Sequence, residues 1–83
     1  MSTTEINALI EVGSIFSAGK VVPMWFKWKG DRIEVKEVKK TWSTAAEMVN
    51  TLHIAVSGPG GYYELSFNQK TLVWVLEKTA EED

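Results

Sequence analysis

A histidine, a serine and a carboxylate within reach of one another could carry acyl transfer, and this chain offers one such set. His53 is the only histidine among the 83 residues. Leu52, Ile54 and Val56 alternate with His53 and Ala55, which puts the imidazole on the face of a strand opposite the apolar side chains. Folding back across Gly58-Pro59-Gly60-Gly61 sets Ser66 and Glu64 beside it. A working triad also needs a pocket and backbone donors for the oxyanion. Adjacent outward residues on flat strands supply neither, so His53 reads as a surface histidine and no residue is assigned a catalytic role.

Other chemistries find less. With no cysteine and a single histidine, a structural zinc site has too few ligands. The carboxylates are scattered and no aspartate-rich calcium loop occurs, so no metal or cofactor is expected. The glycines of Gly58-Pro59-Gly60-Gly61 lack the following Lys-Ser/Thr of a phosphate cradle and lead into a strand. They read as a hairpin loop.

Two surfaces stand out as binding candidates. Trp25, Lys27, Lys29, Arg32 and Lys36 share the outward side of a hairpin, with Lys39 and Lys40 just beyond. Interleaved aromatic and basic side chains on a sheet hold single-stranded nucleic acid by base stacking and phosphate contact. Glu34 and Glu37 interrupt the patch, and a solvated face with Trp25 packed over Lys36 or under the N-terminal strand is the plainer reading. Val73 and Val75 form the second surface: with Leu72, Trp74 and Leu76 facing the core, they point outward near Ala55 and Tyr62. Such a cluster calls for a cover, either from a short helix or the first strand, or from a second protomer or partner protein.

The elements that would position these residues are mostly strands. Ile6, Ala8, Ile10 and Val12 alternate with Asn7, Leu9 and Glu11 in a first strand ending before Ser17-Ala18-Gly19-Lys20. Val22, Met24, Phe26 and Trp28 alternate with Pro23, Trp25, Lys27 and Lys29, and a Gly30-Asp31 turn returns the chain through Ile33 and Val35. That turn pairs Lys29 with Arg32, Trp28 with Ile33, Lys27 with Glu34, Phe26 with Val35 and Trp25 with Lys36. A β-bulge is expected near Lys36-Glu37, where alternation fails. The second hairpin pairs Val56 with Tyr63, Ile54 with Leu65 and Leu52 with Phe67. A four-residue loop, Asn68-Gln69-Lys70-Thr71, then sets Phe67 against Leu72, Leu65 against Trp74 and Tyr63 against Leu76. Thr44 and Glu47 have capping-box spacing around two alanines, which predicts a short helix over 44–50.

The expectation is an all-β chain: about six antiparallel strands in a meander, forming a twisted sheet or partly open barrel, with that one helix. A helix packed on a single sheet is the alternative. The length allows one domain, with an ordered core over 5–78 and an acidic tail over 79–83. Net charge is −2, which steers the chain toward neither nucleic acid nor anionic membranes. The N-terminus lacks a signal-peptide pattern and no apolar run approaches ~18 residues, so no membrane partner is expected and the cytoplasm is the default location.

The run from Gly19 to Val38, followed by Trp42, resembles an uncharacterised group of small bacterial β domains of unknown function. Gly61-Tyr62-Tyr63-Glu64-Leu65 and Trp74-Val75-Leu76-Glu77 are similar to the same group, so the likeness covers most of residues 16–78. The alanine-rich stretch at 43–51 departs from its pattern. The resemblance implies a compact β fold with no catalytic residues to carry over. Related modules resemble C-terminal pieces of polymerase-like proteins of mutagenic DNA repair, which implies contact with protein or nucleic acid.

Taken together, the residues suggest a non-enzymatic module that binds a protein partner through a sheet face or edge, self-association included, with no small-molecule substrate evident. A single-stranded nucleic-acid-binding module using the Trp25 face is the alternative.

Overall fold

The computed structural model describes residues 3–81. Seven strands follow one another: β1 (Thr3–Ser17), β2 (Lys20–Trp28), β3 (Asp31–Glu34), β4 (Glu37–Ala46), β5 (Val49–Gly58), β6 (Gly61–Asn68) and β7 (Val73–Glu81). All pair antiparallel in a single open sheet of order β3-β2-β1-β7-β6-β5-β4. No helix occurs among the described residues. The expected tail is partly strand, since β7 runs to Glu81; Glu82 and Asp83 lie outside the described residues.

β1 holds the sheet together by changing partners along its length. Thr3 to Ile10 pair with β7, whereas Glu11 to Ser17 pair with β2. The sheet curls between these halves until its two wings face each other. Phe26 on β2 meets Tyr63 on β6 edge-to-face, ring centroids 5.2 Å apart, and Phe16 on β1 meets Phe67 at 5.8 Å. Phe26, Ile54, Val56, Leu65 and Leu76 are fully buried between the wings, with Phe67 and Trp74 beside them. At roughly 1.5–3 kcal/mol for each such side chain taken from water, this cluster is the main favourable term. Two hydrogen bonds show how far the curl goes. Val35 N–H donates to Met24 O at 3.0 Å and Lys36 N–H to Ser57 O at 2.8 Å, so the link from β3 to β4 spans from one wing to the other. No ladder joins β3 to β4, and the sheet stays open.

The helix predicted over 44–50 is a β-hairpin instead. Ala46 pairs with Val49, and Glu47 and Met48 turn the chain with φ of 50° and 65°. Positive φ at both central residues defines a type I′ turn, whose twist matches the flanking strands. Pairing of Thr41 to Thr44 with Thr51 to Ile54 outweighs the alanines' helical preference.

Register differs in two further places. The first hairpin turns on Lys29-Gly30, both with positive φ, and not on Gly30-Asp31. Trp28 therefore faces Asp31, Lys27 faces Arg32, Phe26 faces Ile33 and Trp25 faces Glu34. The β6–β7 loop is Gln69 to Leu72, so Phe67 faces Trp74 and Leu65 faces Leu76. Each shift is two residues, which preserves the faces because side chains alternate with period 2. The β5–β6 pairs stand as the sequence predicts them: Val56 with Tyr63, Ile54 with Leu65, Leu52 with Phe67.

Bulges account for the remaining differences. Gly13 pairs with Trp25 and Ser14 with Pro23, leaving Met24 unopposed. The parity of β2 flips there, so Pro23 and Phe26 both point inward while Val22 and Met24 are exposed. The bulge expected near Lys36-Glu37 falls at Lys39, between the pairs Val38–Val56 and Lys40–Ala55.

Candidate functional site

Trp25 does lie on the outward side of the first hairpin, but its ring is already occupied. Beneath it runs Gly13 of β1, so close to the indole that no β-carbon would fit. Above it sits the Arg32 guanidinium, 4.6 Å from the ring centroid, anchored by Arg32 Nε donating to Glu34 Oε1 at 3.1 Å. A nucleobase would reach this face only by displacing Arg32. The other basic residues disperse. Lys27 is flanked by Glu11 and Arg32 across the sheet, Lys29 lies at the turn over Trp28 (4.8 Å), and Lys36 stands outside the hairpin ladder. The expected pairing of Trp25 with Lys36 is replaced by Trp25 with Glu34.

The histidine cluster is likewise spoken for. His53 stacks on Trp42 with ring centroids 5.2 Å apart and planes 9° apart, and Lys40 lies over the far ring. Its Nε2 is 2.9 Å from Thr44 Oγ1, while Nδ1 is buried without a partner. Ser66 lies opposite His53, yet its hydroxyl donates to Glu77 Oε2 at 2.6 Å, the carboxylate sitting at the bulge of β7. Glu64 instead faces Lys78, 3.8 Å away. Serine and histidine are neighbours with no hydrogen bond between them, so no proton path of the Ser–His kind is built. Among the described residues no group of three or more His, Cys, Asp or Glu converges on a metal position.

Val73 and Val75 face outward as expected, but with different neighbours. Val75 lies between Leu9 of β1 and Ser66 of β6, and Val73 opposite Asn68. The register shift removes them from Ala55 and Tyr62. Leu9 is 78% exposed and Val73 40%, so the first strand lies beside the valines without covering them.

This apolar strip continues into a feature that sequence reasoning missed. At the open end of the curled sheet, between the β1–β2 hairpin and the β6–β7 loop, lies a cleft of about 1520 Å³. Ile10, Leu52, Phe67 and Trp74 line it from the inner face of the sheet and Phe16 and Leu72 stand at its mouth, while Leu9 and Val73 border it from the outer face of their strands. Phe16 is 61% exposed and Leu72 69%. Leu72 is held outward by a left-handed backbone (φ 63°), its N–H donating to Asn68 O at 2.7 Å. Asn68 Oδ1 also accepts from the N–H groups of Lys70 and Thr71, which fixes the loop. The sequence signal was Phe16 itself, an aromatic next to a turn and in phase with Ile10 and Val12 along β1.

Tyr63 anchors the opposite end. Its hydroxyl donates to Pro59 O at 2.6 Å, and burial raises the phenol above its usual range. No described helix is long and apolar enough to cross a membrane. Set against protein-family models, curated proteins and solved structures, the chain matches none.

Proposed function

We propose that the chain is a non-catalytic interaction module that takes an extended segment of a protein partner into its open apolar cleft. One observation carries this: Phe16 and Leu72, both exposed large apolar side chains, stand at an opening lined by Ile10, Leu52, Phe67 and Trp74, with exposed Leu9 and Val73 bordering it from the outer face. Exposed apolar residues scattered singly need no explanation, whereas several gathered around one concavity mark a binding surface. Ser14, Ser43 and Gln69 on the cleft walls offer polar contacts for a peptide backbone. The resemblance to small bacterial β domains without known catalytic residues points the same way. The nucleic-acid alternative has less support, because Arg32 and Gly13 enclose Trp25.

A displayed library of random peptides, selected against the full chain, tests the reading. Apolar sequences should be enriched, and their binding should fall at least tenfold in Phe16→Ser and Leu72→Ser, with circular dichroism checking that both keep the fold. Failure to enrich any sequence over an unrelated β protein, or binding indifferent to both substitutions, would refute it.

A further inference from the structure

Edge strands present unpaired backbone donors and acceptors, and proteins usually blunt them with brevity, charge or proline. β3 follows that practice: it has four residues, Asp31-Arg32-Ile33-Glu34, three of them charged. β4, the opposite edge, follows it only in its first half, where Glu37, Lys39, Lys40 and the bulge lie. It has ten residues, and the six from Thr41 to Ala46 carry no charge and no proline. Of these six only Trp42 is partly buried. Their one ladder runs to β5, and no backbone hydrogen bond reaches their outer side among the described residues.

The geometry points to a second copy of this chain as the strand that pairs with β4. The copies meet antiparallel about a two-fold axis at Ser43, joining two seven-stranded sheets edge to edge. A two-fold perpendicular to the sheet keeps each face on its own side, so directly opposed residues must share parity. This leaves three central registers. Centring on Trp42 sets Lys40 opposite Thr44 and, past the bulge, leaves Glu47 of the second copy beyond Lys39 with no partner of opposite charge. Centring on Thr44 sets Glu47 against Thr41 and leaves Val38 and Lys39 beyond the overlap.

Centring on Ser43 does neither. It pairs Trp42 with Thr44, Thr41 with Ala45 and Lys40 with Ala46 of the second copy. It also brings Glu47 of the second copy alongside Lys39, which at present holds only Glu37 of its own strand. Complementary charge thus favours the register that also aligns the uncharged segment.

This inference goes beyond the cleft reading; Ser43 borders the cleft, whereas Lys39, Glu47 and Met48 do not line it, so substitutions at those three test the dimer without altering the cleft. Sedimentation velocity on the full chain across the micromolar range should show a concentration-dependent monomer–dimer equilibrium. Glu47→Lys should abolish the dimer, and Lys39→Glu combined with Glu47→Lys should restore it. Because the chain has no cysteine, Ser43→Cys gives a clean second probe. Mild oxidation should link it to itself at least tenfold faster than Lys70→Cys at the β6–β7 loop. A chain monomeric at every concentration overturns the proposal. So does a dimer indifferent to Glu47→Lys, or equal cross-linking at the two cysteines. Binding of a cleft-selected peptide should persist in Glu47→Lys, so losing the dimer leaves the cleft reading intact.

Discussion

The indole of Trp25 lies flat against Gly13 of the neighbouring strand, in space that any β-carbon at position 13 would occupy. The contact falls where β2 carries its Met24 bulge, and the bulge is what turns Phe26 into the core while Trp25 stays outside. Gly13→Ala should therefore force the ring aside and cost about 1–3 kcal/mol, the usual penalty for overpacking. Urea denaturation followed by fluorescence measures it. Unchanged stability would mean that Trp25 does not rest on Gly13.

The turn at Glu47-Met48 allows a prediction whose sign separates turn from helix. Met48 holds φ of 65°, a conformation that costs a non-glycine residue about 1–2 kcal/mol. Met48→Gly should stabilise the chain by up to that amount. In a helix over 44–50 the same change would destabilise it by about 0.8–1 kcal/mol relative to alanine. Thermal melts of the two proteins decide the matter.

With Arg32 capping its ring, Trp25 should not respond to nucleic acid. Titration of single-stranded DNA or RNA oligomers at low salt should leave the tryptophan emission flat. Quenching that weakens steeply with salt and disappears in Trp25→Phe would show that Arg32 yields, and would favour the nucleic-acid reading.

Tyr63 links stability to alkaline pH. Burial raises its phenol above the ordinary value of about 10, so the neutral form is favoured in the folded state. For a group whose folded pKa is raised, the stabilisation is complete below the unfolded value and is lost as pH climbs through the folded one. Tyr63→Phe should accordingly flatten the fall in stability above pH ~10. A fall of the same steepness in both proteins would remove Tyr63 from that role.

How far the sequence could be read depended on what fixed each reversal. Pro59-Gly60 sets its own turn geometry, with proline's φ locked and Gly60 at 87°, and every β5–β6 pair was legible from it. Lys29 and Leu72 take left-handed conformations that their identities do not announce, so those hairpins slipped by two residues while keeping their faces. The β4–β5 hairpin was mistaken for a helix because Glu47-Met48 has no glycine or asparagine to mark a type I′ turn. The outward placement of Trp25, Val73 and Val75 followed from alternation alone. The cleft did not, because Phe16, Leu52 and Leu72 come together only once β1 has exchanged β7 for β2 and the wings have curled. Charge pattern gave no hint that Arg32 would cap Trp25, since that contact needs the observed register.

Chemical-shift mapping with a selected apolar peptide bears most directly on the central proposal. In ¹⁵N-labelled chain, the largest shifts should fall in residues 9–21 and 67–74, the two segments that frame the opening. Shifts confined to the Trp25–Glu34 hairpin, or spread evenly over the sheet, would contradict a cleft built to hold a partner.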